Sequence, residues 1–118
     1  MIPLAEAKKL VYEKYGFAIT EELDLGKMPP RGDLVKGEAR ASPKEIAVRA
    51  DLDDTMKLIA IAHEAGHLID YSQNEKEYLR GGVIKDETKA WLNGLPLAIE
   101  MGIQNEYITY WKIHLEKL

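Results

Sequence analysis

A chain of 118 residues has room for one hydrophobic core and not for two, so residues 1–118 are expected to form a single domain. Its 46% apolar and 31% charged residues are ordinary for a globular protein, and 16 basic against 20 acidic side chains leave a net charge of −4. The absence of a Lys/Arg cluster argues against nucleic acid as the main partner, and the absence of cysteine excludes a thiolate metal site.

The opening Met1-Ile2-Pro3-Leu4-Ala5-Glu6 has no charged segment followed by an apolar core, and no apolar run is long enough to cross a bilayer, so a cytoplasmic chain without a membrane partner is expected. Leu4, Ala7, Lys8, Val11, Tyr12 and Tyr15 recur near helical spacing over residues 4–15, and Gly16 ends that helix. The Lys8-Lys9 pair reads as its solvated edge. Phe17-Ala18-Ile19-Thr20 opens a short strand. Gly26 to Asp33, with two prolines and two glycines, fits a loop. Leu34–Ala41 and Glu45–Ala50, separated by Ser42-Pro43-Lys44, predict a β-hairpin whose outer edge, if it borders a cleft, can pair with an extended peptide.

The next segment carries the chemistry. Asp53 or Asp54 offers an N-cap, and Met56 to Ala62 lead without Gly or Pro into His63-Glu64-Ala65-Gly66-His67. The helix is apolar nearly all round and should be buried. Residues i and i+4 of a helix lie one above the other, so the rings of His63 and His67 can converge on one cation, while Glu64 sits about 100° round the axis. From there its carboxylate can reach a water on the ion, accept its proton and hand that proton to a leaving amine.

Catalytic zinc takes three protein ligands and keeps a fourth position open. The leading candidate for the third is Glu87, twenty residues beyond His67. It follows the polar stretch Ser72 to Glu77 and the turn-forming Arg80-Gly81-Gly82, at the start of a second helical segment from Asp86. Gly94 and Pro96 predict a kink or restart in that segment, and Met101-Gly102 close it. A last helix, Gln104 to Leu118, carries Tyr107, Tyr110, Trp111 and His114 at three- and four-residue steps. Such a stripe is expected to pack on the core. His114 is the other candidate for third ligand.

HEAGH followed at twenty residues by Glu87 resembles the gluzincin clan of zinc metallopeptidases, in which a glutamate on the next helix is the third ligand. Glu45-Ile46-Ala47-Val48-Arg49, Ile59-Ala60-Ile61-Ala62 and Glu87-Thr88-Lys89-Ala90-Trp91 are similar to compact domains of the ImmA/IrrE type, and the size to the minigluzincins. The resemblance covers residues 35 to 102. It implies an α+β fold, a small zincin-like domain with a short antiparallel-containing sheet, a buried HExxH helix and a following glutamate helix.

It also implies one Zn2+ per chain on His63, His67 and Glu87, with Glu64 as general base in hydrolysis of a peptide or protein substrate by a monomer or small homo-oligomer. Tyr78 is a candidate second donor to the oxyanion. One position departs from the pattern: larger gluzincins place an aspartate one turn after the ligand glutamate, where this chain has Trp91, so Asp70, Asp86 and Asn93 become candidates to support the histidines. That departure and the aromatic tail admit a second expectation, a latent chain blocked by its C-terminal segment or a zinc-binding module without catalysis.

Overall fold

The computed structural model describes the backbone of residues 1–23, 27–28, 33–34, 37–41, 44–73 and 75–116, and the side chains of 1–23, 37–39, 44–72 and 87–116. The architecture is α+β. Helix α1 (Leu4–Tyr15) turns Ala7 and Val11 inward and ends at Gly16, whose φ of 75° is a left-handed conformation that glycine adopts without steric cost. The Gly16 N–H closes on the Tyr12 carbonyl at 2.8 Å.

Five strands follow: β1 (Ala18–Glu22), β2 (Lys27–Met28), β3 (Asp33–Leu34), β4 (Gly37–Ala41) and β5 (Lys44–Arg49). The main sheet has the order β1-β5-β4, with β5 parallel to β1 and antiparallel to β4. Ile46, Ala47 and Val48 are all buried, and successive residues of a strand face opposite sides, so β5 is covered on both faces as a central strand should be. The expected hairpin forms with Ala41 opposite Lys44, but its first strand begins at Gly37 rather than Leu34. Leu34 instead pairs with Lys27 in the two-residue β2–β3 ladder, so the segment expected to be all loop carries this small antiparallel pair. Its prolines, which cannot donate to a ladder, lie between the paired residues and outside the described ones.

Helix α2 (Asp54–Gln73) starts from an N-cap at Asp53, whose carboxylate accepts the Met56 N–H at 2.8 Å. Leu58, Ile61, Ala62, Ala65 and Leu68 follow helical spacing and are buried, and α2 packs over β4 and β5. Helix α3 (Glu75–Glu100) corrects the expected turn, since none forms at Gly81-Gly82; of the kink or restart expected at Gly94 and Pro96, the restart does not occur and the helix continues through Pro96. A glycine in a helix costs only about 1 kcal/mol relative to alanine, which packing of a long helix along a neighbour outweighs. Pro96 frees the Leu92 carbonyl four residues back; both residues are exposed, so water can take the place of the lost donor.

Helices α2 and α3 touch backbone to backbone at two glycines. A Cβ at Gly66 would lie 1.9 Å from the Ala90 carbonyl oxygen, and one at Gly94 would lie 2.2 Å from that of Ala62 and 2.6 Å from the Tyr107 hydroxyl. Helix α4 (Gln104–Glu116) docks through Tyr107, which is fully buried and donates to the Trp91 carbonyl at 2.6 Å. No helix among the described residues is long and apolar enough to cross a membrane.

Candidate metal centre

The α2–α3 crossing brings the predicted ligands together. His63 and His67 project from successive turns of α2 with ring centroids 4.8 Å apart, and Glu87 reaches them from α3. Glu87 Oε1 lies 2.9 Å from His67 Nε2 and its Oε2 3.2 Å from His63 Nε2. One ligand atom from each of the three residues falls within 4.8 Å of the others, a spacing that can hold a metal ion. Ligand nitrogens and oxygens about 2.0–2.1 Å from a tetrahedral zinc stand about 3.3 Å from one another, near the two contacts that the histidines make to the separate oxygens of Glu87. Two imidazoles and a carboxylate suit zinc chemically, and the site is well enclosed: the side chains of His63, His67 and Glu87 are only 12%, 7% and 19% exposed.

Glu64 occupies the expected place beside the ligands. Burial raises the proton affinity of its carboxyl, against the opposing pull of His63 and His67. A raised proton affinity is what a general base working near neutral pH requires. Burial also raises the Glu87 carboxyl, but hydrogen bonds from His63 and His67 outweigh it and hold Glu87 ionised.

Trp91 replaces the expected carboxylate with an aromatic wall. Its ring centroid lies 4.1 Å from that of His63, while His63 Nδ1 is buried with no hydrogen-bond partner among the described residues. The ring is thus held by packing rather than by the acceptor that usually orients a metal-ligating histidine. Tyr107, Tyr110 and Trp111 gather on Trp91 at 5.1, 6.0 and 6.4 Å, as the stripe on the last helix predicts. That packing also carries His114 to the site, where its Nε2 lies 3.5 Å from Glu87 Oε2.

Among the candidates for second-layer support, Asp70 is buried on α2 one turn beyond His67 and Asn93 is half-buried on α3. The side chains of Asp86 and Tyr78 lie outside the described residues. Sequence reasoning missed Gly37. A Cβ there would stand 3.1 Å from Glu64 Cγ, so the outer strand β4 passes directly over the candidate base. A glycine in a strand is a recognised sign of close backbone approach, the signal that could have found this position. Comparison with known protein families, curated proteins and solved structures gives no match for this chain.

Proposed function

We propose that the chain is a zinc-dependent endopeptidase built as a minimal zincin-like domain, of the compact gluzincin kind that HEAGH and Glu87 resemble. The observation that carries it is the convergence of His63, His67 and Glu87 with Glu64, raised in proton affinity, at the adjoining helical position. Some iron oxygenases use the same two-histidine, one-carboxylate donor set, but a base carboxylate beside the ligands supports hydrolysis.

When bound, zinc supplies the Lewis acidity that makes water nucleophilic near neutral pH and polarises a carbonyl. His63, His67 and Glu87 would hold the ion. Glu64 takes the proton of the attacking water and delivers it to the departing amine nitrogen, so one carboxylate serves as base and then as acid. Strand β4, the outer strand of the sheet beside Glu64, offers backbone groups with which an extended peptide can pair. A second reading, a latent form of the same enzyme, draws on His114 standing beside Glu87.

Zinc content and cleavage of an unfolded protein such as casein test the proposal against Glu64→Gln. The parent should bind one zinc per chain and cleave, and the variant should bind equally but lose at least the ~100-fold that general acid–base catalysis contributes. A parent that takes up no zinc, or a variant as active as the parent, refutes it.

A further inference from the structure

We propose that the depression between the last turns of α1 and α2 and the start of β5 is a binding site for a small aromatic carboxylate, which rests its ring beside Tyr15 and Phe17 and its charge between Lys14 and Lys44. The depression shares no residue with the metal centre, and its chemistry is the same whether or not that centre holds zinc.

The depression is open and has a volume of about 310 Å3, at the lower end of the about 300–1,000 Å3 of small-molecule sites, so its occupant is the size of an amino acid. Tyr15, Phe17 and Ile69 form its apolar part. The Tyr15 and Phe17 rings stack at 5.5 Å with 15° between their planes, and Phe17 is anchored in the core. Such a pair offers a fixed aromatic surface against which a further flat ring can pack. Lys14 and Lys44 bring two ammonium groups to the same depression from separate elements, in a chain whose net charge is −4. The Lys14 Nζ stands 5.7 Å from the Tyr15 ring centroid, so a ring packed beside Tyr15 carries its acid group towards that ammonium. Ser72 adds a hydroxyl that can donate to the same carboxylate.

The surrounding charges select a single negative charge. Lys14 is bonded to Glu100, whereas Lys44 makes no hydrogen bond or ion pair among the described residues. An arriving carboxylate therefore meets Lys44 uncontested and competes with Glu100 for Lys14. Lys14 and Ser72 lie in the last turns of α1 and α2, where unpaired helix carbonyls carry partial negative charge. Those carbonyls offset part of the lysine field and oppose a dianion more than a monoanion. The features that favour phosphate, an arginine fork or the N–H groups of a helix N-terminus, are absent from the lining.

The test titrates the whole 15N-labelled chain with 3-phenylpropionate and follows backbone amides by NMR. Saturable shifts should centre on Tyr15, Phe17, Ile69 and Ser72, with a dissociation constant near millimolar, as suits a ligand of this size on an open surface. The uncharged 3-phenylpropionamide should bind about tenfold more weakly. Lys44→Gln should weaken the acid about threefold, the effect of one exposed charge pair, and Glu100→Gln should tighten it by a similar factor by freeing Lys14. Both positions are exposed, so neither substitution should disturb folding. Gly-Gly-Phe presents the same acid at the end of a polypeptide: tighter binding than phenylpropionate assigns the site to peptide C-termini, and weaker binding assigns it to free acids. Absence of saturation well above the millimolar range, equal affinity for acid and amide, or variants that do not move affinity in opposite directions overturns the site. Tighter binding of phenyl phosphate than of the acid overturns the assignment to a carboxylate.

Discussion

Replacing Gly66 by alanine sets two well-characterised effects against each other. Alanine is the better helix former, so in an isolated helix the change would stabilise by about 1 kcal/mol. In the folded chain the new methyl would meet the Ala90 carbonyl oxygen at 1.9 Å, roughly 1.5 Å short of the 3.4 Å at which ordinary contact begins. The obstacle is backbone of a packed helix rather than the end of a flexible side chain, so relief requires α3 to move. Overpacking of this kind costs about 1–3 kcal/mol and occasionally more. With the contact this short the cost should sit at or above the upper end, leaving Gly66→Ala less stable than the parent by about 2 kcal/mol. For a chain of this size that is a fall in Tm of very roughly 8 °C. Displacement of α3 should also separate Glu87, one turn from Ala90, from His67, which adjoins Gly66. Thermal unfolding with and without zinc reads both consequences: the metal-free Tm falls, and the stabilisation by zinc shrinks because affinity for the folded state is reduced. A variant with a Tm equal to or above the parent's would show that helix propensity wins and that the close crossing does not hold in solution.

Three further outcomes follow from neighbouring contacts. Gly37→Ala places a methyl 3.1 Å from Glu64 Cγ and 3.3 Å from the Ala47 carbonyl, so it should displace the base by a few tenths of an ångström. A full 1 Å misplacement can cost ~100-fold, so cleavage should fall by up to about tenfold with zinc affinity unchanged; undiminished cleavage would refute contact with the base. Tyr107→Phe removes the buried hydrogen bond to the Trp91 carbonyl and should lower stability in urea unfolding by about 1 kcal/mol, a loss that no change in the midpoint would contradict. Hydrogen bonds from Lys57 and then Lys8 pull Glu21 from an ordinary 4.5 to about 2, so its contribution is present above pH 4.5 and lost as pH falls towards 2. With the Glu21 side chain 30% exposed, solvent screening limits that contribution to about 1 kcal/mol, and the stability gap between parent and Glu21→Gln should close across this window.

The parts of the site differ in how far they were legible, and the difference is physical. His63, Glu64 and His67 are related by the geometry of a single helix, so their arrangement follows from local spacing once the helix is recognised. Glu87 was the leading third ligand even though its helix begins at Glu75 rather than Asp86. A carboxylate within a helix returning past α2 needs only the crossing, not the helix start, to reach the histidines. The glycine pair at 81–82 misled because glycine is a weak breaker inside a long, packed helix. Gly37, Trp91 and His114 are tertiary facts: each acts through an element distant in sequence, and no periodicity of its own segment specifies the partner. The motif is therefore the robust half of the site and the crossing the fragile half. Loss of contact at Gly66 or Gly94 would leave the two histidines one turn apart on α2 as before, yet it would withdraw Glu87 and, through Trp91 and Tyr107, His114. An HExxH helix without that crossing keeps the base and loses much of the cation site it serves.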